Sequence, residues 1–198
     1  EGFTLGAALG LGRDEGIASI APAYKTDAYV QLGDRDRYDD RLVVRTNLIE
    51  AYDQLLAFAQ KHLPDKFFLE GTRTVSLRDI ICRELMVNTL IHREYTSPFP
   101  AKMVIDAEGI RTENASRARF TGELTPERFS PLPKNPNIAE LFSNIGLADA
   151  LGSGTRNLSK YSWAYGGSQP VMTEGDVFEA KVPLLKGATS SMGASFDV

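Results

Sequence analysis

The chain has 198 residues, of which 42% are hydrophobic and 24% charged, and this composition is typical of a globular domain and excludes a disordered chain. The formal net charge is −4 at pH 7. A domain that binds the phosphate backbone of DNA by itself usually carries clustered Lys and Arg side chains. We therefore expect this segment to bind duplex DNA weakly, and any DNA contact to belong to other domains of the parent protein.

Cysteine and histidine content narrows the chemistry further. The lone cysteine, Cys82, and the two histidines exclude a disulfide framework and argue against a zinc site rich in Cys or His. No segment reaches the roughly 18 apolar residues that a membrane-spanning helix needs. No signal peptide is evident either, so we expect a cytoplasmic protein without a membrane partner.

Residues 1–45 are predicted to form an N-terminal strand and loop region, or the end of a preceding domain. Within it the apolar runs Leu5–Leu11 and Ala28–Leu32 favour strands, and Val43-Val44 closes the region. Residues 46–185 form the predicted main domain. Residues 186–198 are small and polar, which is typical of a linker or a frayed end.

Two long helices are predicted from their capping signals. Asn47 followed by Glu50 three residues later predicts a helix that Pro64 ends. Ser76 followed by Asp79 predicts a second helix, which runs to about Tyr95.

The rest of the domain alternates strands with short helices. Residues 102–114 predict a hairpin with Gly109 in its turn, and 115–135 a long loop. Asn135 is the predicted cap of a third helix, and a fourth helix is predicted at about 156–165. In residues 178–184 apolar and polar side chains alternate, which predicts a half-buried strand. The predicted fold class is a two-layer α/β (α+β) sandwich, with helices packed on a mixed or antiparallel sheet.

The second helix carries the most informative residues. Glu84, Asn88 and His92 lie four apart and form one polar stripe between two apolar flanks. Burying a carboxylate, an amide and an imidazole is costly unless they are paired or bind a ligand. The pattern alone leaves two interpretations equally open: a ligand site, or a network that satisfies neighbouring backbone groups.

A family resemblance favours the ligand site. The run from Glu84 to Tyr95 resembles the "E-x-x-V-N-A-L-x-H-R-D-Y" helix of the C-terminal family related to RecG helicases, which is found in bacterial transcriptional regulators with Schlafen/AlbA domains. Lys134–Phe142 is similar to the family's "R-N-P-x-I-A-x-L-F" block. Ile145–Leu147 followed by 152–155 resembles its "G-L-x-E-x-x-G-S-G" loop.

The resemblance implies a Bergerat, or GHKL-like, fold and a site for Mg-ATP. In that fold a Glu and an Asn on one helix act on the phosphates, so the resemblance assigns Asn88 to magnesium and Glu84 to polarising the attacking water, as catalytic base. His92 and Arg93 belong to the same matched motif and are expected to bind the nucleotide. The implied role of the whole is nucleotide binding in a regulator, with a homodimer as one further expectation.

A glycine-containing loop supports a phosphate site. Gly152, Ser153, Gly154 and Thr155 precede a predicted helix, and its positive N-terminal end can attract an anion. Of the family's "N-P-G" motif this sequence keeps only the Asn, as Asn114, and lacks the Gly. The "D-x-G-x-G" block of GHKL enzymes is also absent. A structural or dimerisation module that binds no nucleotide, and a slow Mg-dependent ATPase, therefore stay open as alternatives. The sequence contains no Gly-Lys dipeptide and hence no Walker A loop, which excludes a helicase motor of that kind.

Overall fold

The computed structural model describes residues 4–33, 36–118, 121–124, 133–148 and 154–183. These residues form nine strands and six helices. The strands are β1 (Thr26–Gln31), β2 (Asp40–Val44), β3 (Phe67–Glu70), β4 (Arg73–Ser76), β5 (Ala101–Asp106), β6 (Gly109–Ala115), β7 (Gly122–Glu123), β8 (Val171–Glu174) and β9 (Val177–Pro183). The helices are α1 (Leu5–Leu11), α2 (Asp14–Ile20), α3 (Leu48–His62), α4 (Leu77–His92), α5 (Pro136–Asn144) and α6 (Gly154–Gly166).

Seven strands form one mixed sheet in the order β2-β1-β5-β6-β9-β8-β7. β1 and β5 are parallel, with Thr26 opposite Ala101, and the other neighbouring strands of the described sheet are antiparallel. Helices form the second layer, so the predicted two-layer α/β fold with a mixed sheet is confirmed. β1 and β2 belong to this sheet, so residues 26–44 share one sheet with strands of the predicted main domain that begins at residue 46.

The two faces of the sheet differ in chemistry. Alternate residues of β9 are buried, namely Phe178, Ala180 and Val182, and the residues between them are half-buried. The helices α3, α4 and α6 pack against the sheet, and their apolar side chains complete the core. The polar side chains of the opposite face pair with one another, as in the ion pairs Asp27–Arg41, Lys102–Glu113 and Arg111–Glu113.

The prediction of a strand at Leu5–Leu11 is wrong, because these residues form α1. The Thr4 hydroxyl caps the helix by accepting a hydrogen bond from the Ala7 amide at 3.2 Å. A side chain at Gly10 would place its Cβ 2.7 Å from Leu141 Cδ2, so the glycine lets α1 lie close to α5. Tertiary packing thus adds to a helix in which Leu and Ala favour the helical conformation and two glycines oppose it. The following α2 was not predicted.

The two capping predictions are confirmed. The Asn47 side chain accepts from the Glu50 amide, and the Ser76 hydroxyl accepts from the Asp79 amide, both at 3.0 Å. The predicted hairpin is β5–β6, with Gly109 at φ 152°. Helix α4 ends at His92, three residues before the predicted end.

The hairpin β3–β4 and the strands β7 and β8 are additions that the sequence analysis did not contain, and β7 lies within the predicted loop 115–135. β3 and β4 form a separate two-stranded sheet. Across the described ranges, no helix combines the length and the apolar character that crossing a bilayer requires.

Candidate functional site

Helix α4 carries the polar stripe into the interior of the molecule. Glu84 is buried with 7% of its surface exposed, and Asn88 and His92 are partly buried. The neighbours Leu85 and Leu90 are fully buried, so most of the helix circumference is covered. From residue 84 to residue 92 the stripe extends over about 12 Å, since a helix rises about 1.5 Å per residue.

The Glu84 end of the stripe meets the first turn of α6. A Cβ on Gly154 would lie 2.5 Å from Glu84 Oε2, so a side chain at this position would require the carboxylate to move. Asn157 Nδ2 donates to Glu84 Oε1 at 3.4 Å, and Arg83 lies at the same distance from that oxygen. A carboxylate beside a helix N-terminus is stabilised by the helix dipole. The structure therefore brings together the two predicted site residues Glu84 and Gly154.

The middle of the stripe is less engaged. The Asn88 side chain forms no hydrogen bond with any residue in the described ranges, although it lies one turn from Glu84 and one turn from His92. Thr155 is buried in the first turn of α6. Gly152 and Ser153, which the sequence analysis also assigns to the phosphate loop, lie outside the described residues.

The His92 end of the stripe lies beside a polar cluster. The Lys134 ammonium donates to Glu174 Oε1 at 2.6 Å and also to the Ser116 hydroxyl, which itself donates to Glu174 Oε1 at 2.6 Å. Burial and, to a lesser extent, the nearby Lys134 charge lower the pKa of His92 from 6.5 to about 4, against the opposite effect of Glu174. His92 is therefore a neutral imidazole at pH 7, able to accept one hydrogen bond and donate another.

Arg93 does not belong to this arrangement, contrary to the expectation from the motif. It is 1% exposed, and its guanidinium donates to the carbonyl oxygens of Lys25 at 2.8 Å and Phe99 at 3.3 Å. The same group stacks near the rings of Tyr24 and Tyr95, at 5.2 and 5.4 Å from their centroids. Arg93 thus holds together the two loops that lead into β1 and β5, and both of its terminal nitrogens are occupied by protein groups.

Asn114 is fully buried on β6, a strand that α4 contacts. Its Nδ2 donates to the carbonyl of Ala115 at 3.1 Å. Its Oδ1 is buried, and no hydrogen-bond donor of the described segments reaches it. An unsatisfied buried acceptor is uncommon, so Asn114 is the one predicted site residue with a free buried acceptor on the sheet.

Asn135 is a structural residue whose contacts the sequence analysis did not predict. Asn135 precedes α5, as predicted, but its side chain does not form the expected capping hydrogen bond. Instead Nδ2 donates to the carbonyls of Ile91 and Arg93, both at 2.8 Å. These bonds satisfy carbonyls at the end of α4 that have no intrahelical partner.

The arrangement offers oxygen and nitrogen ligands but no dense metal cluster. Within the described ranges, no group of three His, Cys, Asp or Glu residues could hold a metal ion. The carboxylate of Glu84 and the amide of Asn88 are hard oxygen donors one turn apart, which suits magnesium shared with phosphate oxygens and water. Cys82 is buried, and burial raises the pKa of its thiol to about 12, so it is a core side chain.

Comparison with known proteins supports the fold only. No protein-family model matches the chain, and no curated protein matches it. Its fold is similar to the crystal structure of the DIP2311 protein from Corynebacterium diphtheriae, with a TM-score of 0.66 and 17% sequence identity. The match covers 87% of this chain and 37% of that protein, so the chain spans well under half the length of this structural neighbour.

Proposed function

We propose that this domain binds a magnesium nucleotide at the polar stripe of α4 and serves as a regulatory module, as the RecG-related motif implies. The observation that carries the proposal is Asn88, a partly buried amide without a hydrogen bond to any described residue, placed between Glu84 and His92. Partly burying an amide costs free energy unless a partner satisfies it. A phosphate-bound magnesium ion at Asn88 Oδ1 supplies that partner.

Two further features support a ligand at this place. The free Oδ1 of Asn114 is a second unsatisfied acceptor on the strand that α4 contacts. His92, neutral at pH 7, offers a donor and an acceptor at the other end of the stripe. Asn88, Asn114 and His92 are neutral polar groups, so in this proposal the positive charge that the phosphates require comes from magnesium.

The contacts of Glu84 favour binding over hydrolysis. A general base must be free to accept a proton from water, whereas the Glu84 carboxylate is already contacted by Arg83 and Asn157 at the start of α6. A binding module follows from this geometry more readily than a slow ATPase. The same contacts favour the second candidate, a structural module in which Glu84 fastens α4 to α6 and no nucleotide binds.

One substitution separates the two candidates. In Asn88→Ala no protein hydrogen bond is lost and the helix propensity improves, so we expect an unchanged or slightly higher melting temperature without ligand. We also expect loss of the stabilisation that Mg-ADP or Mg-ATP gives to the wild type, since a ligand that binds only the folded state raises its stability. Thermal-shift titration and calorimetry measure both quantities.

Asn144→Ala is the matched control, because Asn144 is an exposed amide at the end of α5. This variant is expected to keep the full nucleotide-induced shift. A wild type that shows no shift with either magnesium nucleotide refutes the binding proposal. An Asn88→Ala variant destabilised by about 1–3 kcal/mol without ligand identifies Asn88 as part of a structural network instead.

A further inference from the structure

Three buried polar atoms near the end of α4 have no hydrogen-bond partner among the described residues, namely Arg93 Nε, Thr26 Oγ1 and Asn114 Oδ1. Each of these residues is at most 1% exposed. Unpartnered buried polar atoms are uncommon, because burial removes the hydrogen bonds that water forms with them in the unfolded chain. Three such atoms from separate parts of the chain indicate a shared partner where they lie together.

The strand register places Thr26 and Asn114 in one row across the sheet. Thr26 lies opposite Ala101 in the parallel pair β1–β5. Lys102 lies opposite Glu113 in the antiparallel pair β5–β6, and the next pair in that register is Ala101 with Asn114. Residues of one row point to the same face of a sheet. Two strand spacings, or about 9.6 Å, therefore separate the Cα atoms of Thr26 and Asn114, and the side chain between them is the single methyl group of Ala101.

Arg93 lies over the same end of this row. Its terminal nitrogens donate to the carbonyls of Lys25, which immediately precedes β1, and of Phe99, two residues before β5. The amide of the next residue, Glu94, donates to the carbonyl of Ala115 on β6 at 2.9 Å. These bonds bring the guanidinium to the starts of β1 and β5 and to the end of β6. They leave Nε as the one guanidinium nitrogen without an acceptor among the described residues.

The three unpartnered atoms have complementary hydrogen-bonding capacities. Arg93 Nε only donates, Asn114 Oδ1 only accepts, and the Thr26 hydroxyl does both. A water molecule satisfies all three, since it accepts from the guanidinium, donates to the amide oxygen and bonds to the hydroxyl in either direction. A bound anion would face the acceptor of Asn114, and a bound cation would face the charge of Arg93. The set therefore selects water over an ion.

We propose that one water molecule is bound between the end of α4 and the sheet, with hydrogen bonds to Arg93 Nε, Thr26 Oγ1 and Asn114 Oδ1. This water joins the helix that carries the polar stripe to β1 and β6. It also adds a polar contact to a buried guanidinium whose described partners are two neutral carbonyls and two aromatic rings. The inference does not rest on the proposed function, because an amide oxygen has two lone pairs and Asn114 accepts from this water whether or not a nucleotide binds.

Replacement of Thr26 by valine distinguishes a bound water from a dry core, because the two predict opposite signs. Valine keeps the shape of threonine but lacks the hydroxyl. Removing a hydroxyl that bonds to water is expected to raise the equilibrium constant for unfolding about 5-fold, whereas removing a dry, unpartnered hydroxyl lowers it. Denaturant titration of the full chain measures this constant. A Thr26→Val variant that is as stable as the wild type, or more stable, overturns the proposal.

Thr112→Val is the matched control. Thr112 is also a buried threonine of the sheet whose hydroxyl has no partner among the described residues, and its register partners Met103 and Ala180 are apolar. Its substitution is expected to leave the unfolding constant unchanged or to lower it. An equal rise in both variants would mean that any threonine-to-valine exchange in these strands has this effect, and it overturns the proposal.

A high-resolution crystal structure of the full chain tests the site directly. The wild type is expected to show one water peak within about 3.2 Å of all three atoms. The variant Thr26→Ser keeps the hydroxyl and is expected to keep this peak. The absence of a peak in the wild type, or a direct hydrogen bond from Arg93 Nε to Asn114 Oδ1, overturns the proposal.

Discussion

Substitution of Arg93 separates a structural role from a role in ligand binding. Arg93→Ala removes hydrogen bonds to the carbonyls of Lys25 and Phe99 and two ring contacts. Hydrogen bonds from a charged group contribute about 1.5–3 kcal/mol each, and each ring contact of a desolvated cation about 2 kcal/mol. Loss of the buried charge returns several kcal/mol of desolvation. The net cost is about 3 kcal/mol, a large part of the about 5–15 kcal/mol that stabilises a typical domain.

Urea unfolding measures this cost, and Arg93→Met is the control. Methionine keeps apolar bulk between Tyr24 and Tyr95 but donates no hydrogen bond, so we expect a loss of about 2 kcal/mol. Both variants are expected to retain the wild-type nucleotide-induced shift in the fraction that folds. An Arg93→Ala variant of wild-type stability that fails to respond to nucleotide would refute the reasoning, because the guanidinium would then act on the ligand.

Two further changes have defined outcomes. Asn135→Ala leaves the carbonyls of Ile91 and Arg93 without their donor and is expected to lower the free energy of unfolding by about 1–3 kcal/mol. Asn137 is exposed, so the control variant Asn137→Ala is expected to leave denaturant unfolding curves unchanged. Burial lowers the pKa of His92 from 6.5 to about 4, so between these pH values the unfolded state binds more protons and the free energy of unfolding falls as the pH drops from 6.5 to 4. His92→Gln is expected to flatten this pH dependence, which denaturant titrations at several pH values measure. An unchanged dependence of the free energy of unfolding on pH would contradict the reasoning.

Local signals predicted the elements that local interactions stabilise. The caps at Asn47 and Ser76 and the turn at Gly109 depend on groups within a few residues of each other, and the structure has all three. Helix α1 has a local cap as well, Thr4, but the apolar run Leu5–Leu11 was interpreted as a strand. Its Gly10 is unfavourable in an isolated helix, and the reason for it is contact with Leu141, which is distant in sequence.

The candidate site shows the same division. Helical periodicity places Glu84, Asn88 and His92 on one line, but it does not say what each of them meets. The approach of Gly154 to Glu84 and of Lys134 to His92 depends on how α5 and α6 pack. Arg93 was assigned to the ligand because it belongs to the same motif, yet its position after the last turn of α4 directs it to the loops before β1 and β5.

The parallel pairing of β1 with β5 has a consequence for synthesis of the protein. Thr26 pairs with Ala101, so 75 residues separate partners in this pair of neighbouring strands. At translation rates of about 5–20 residues per second, β1 waits about 4–15 s for its partner to be made. During this time the hairpin of β1 and β2 has one edge that only later chain can cover. Until β5 is made, this uncovered edge can mispair with other strands.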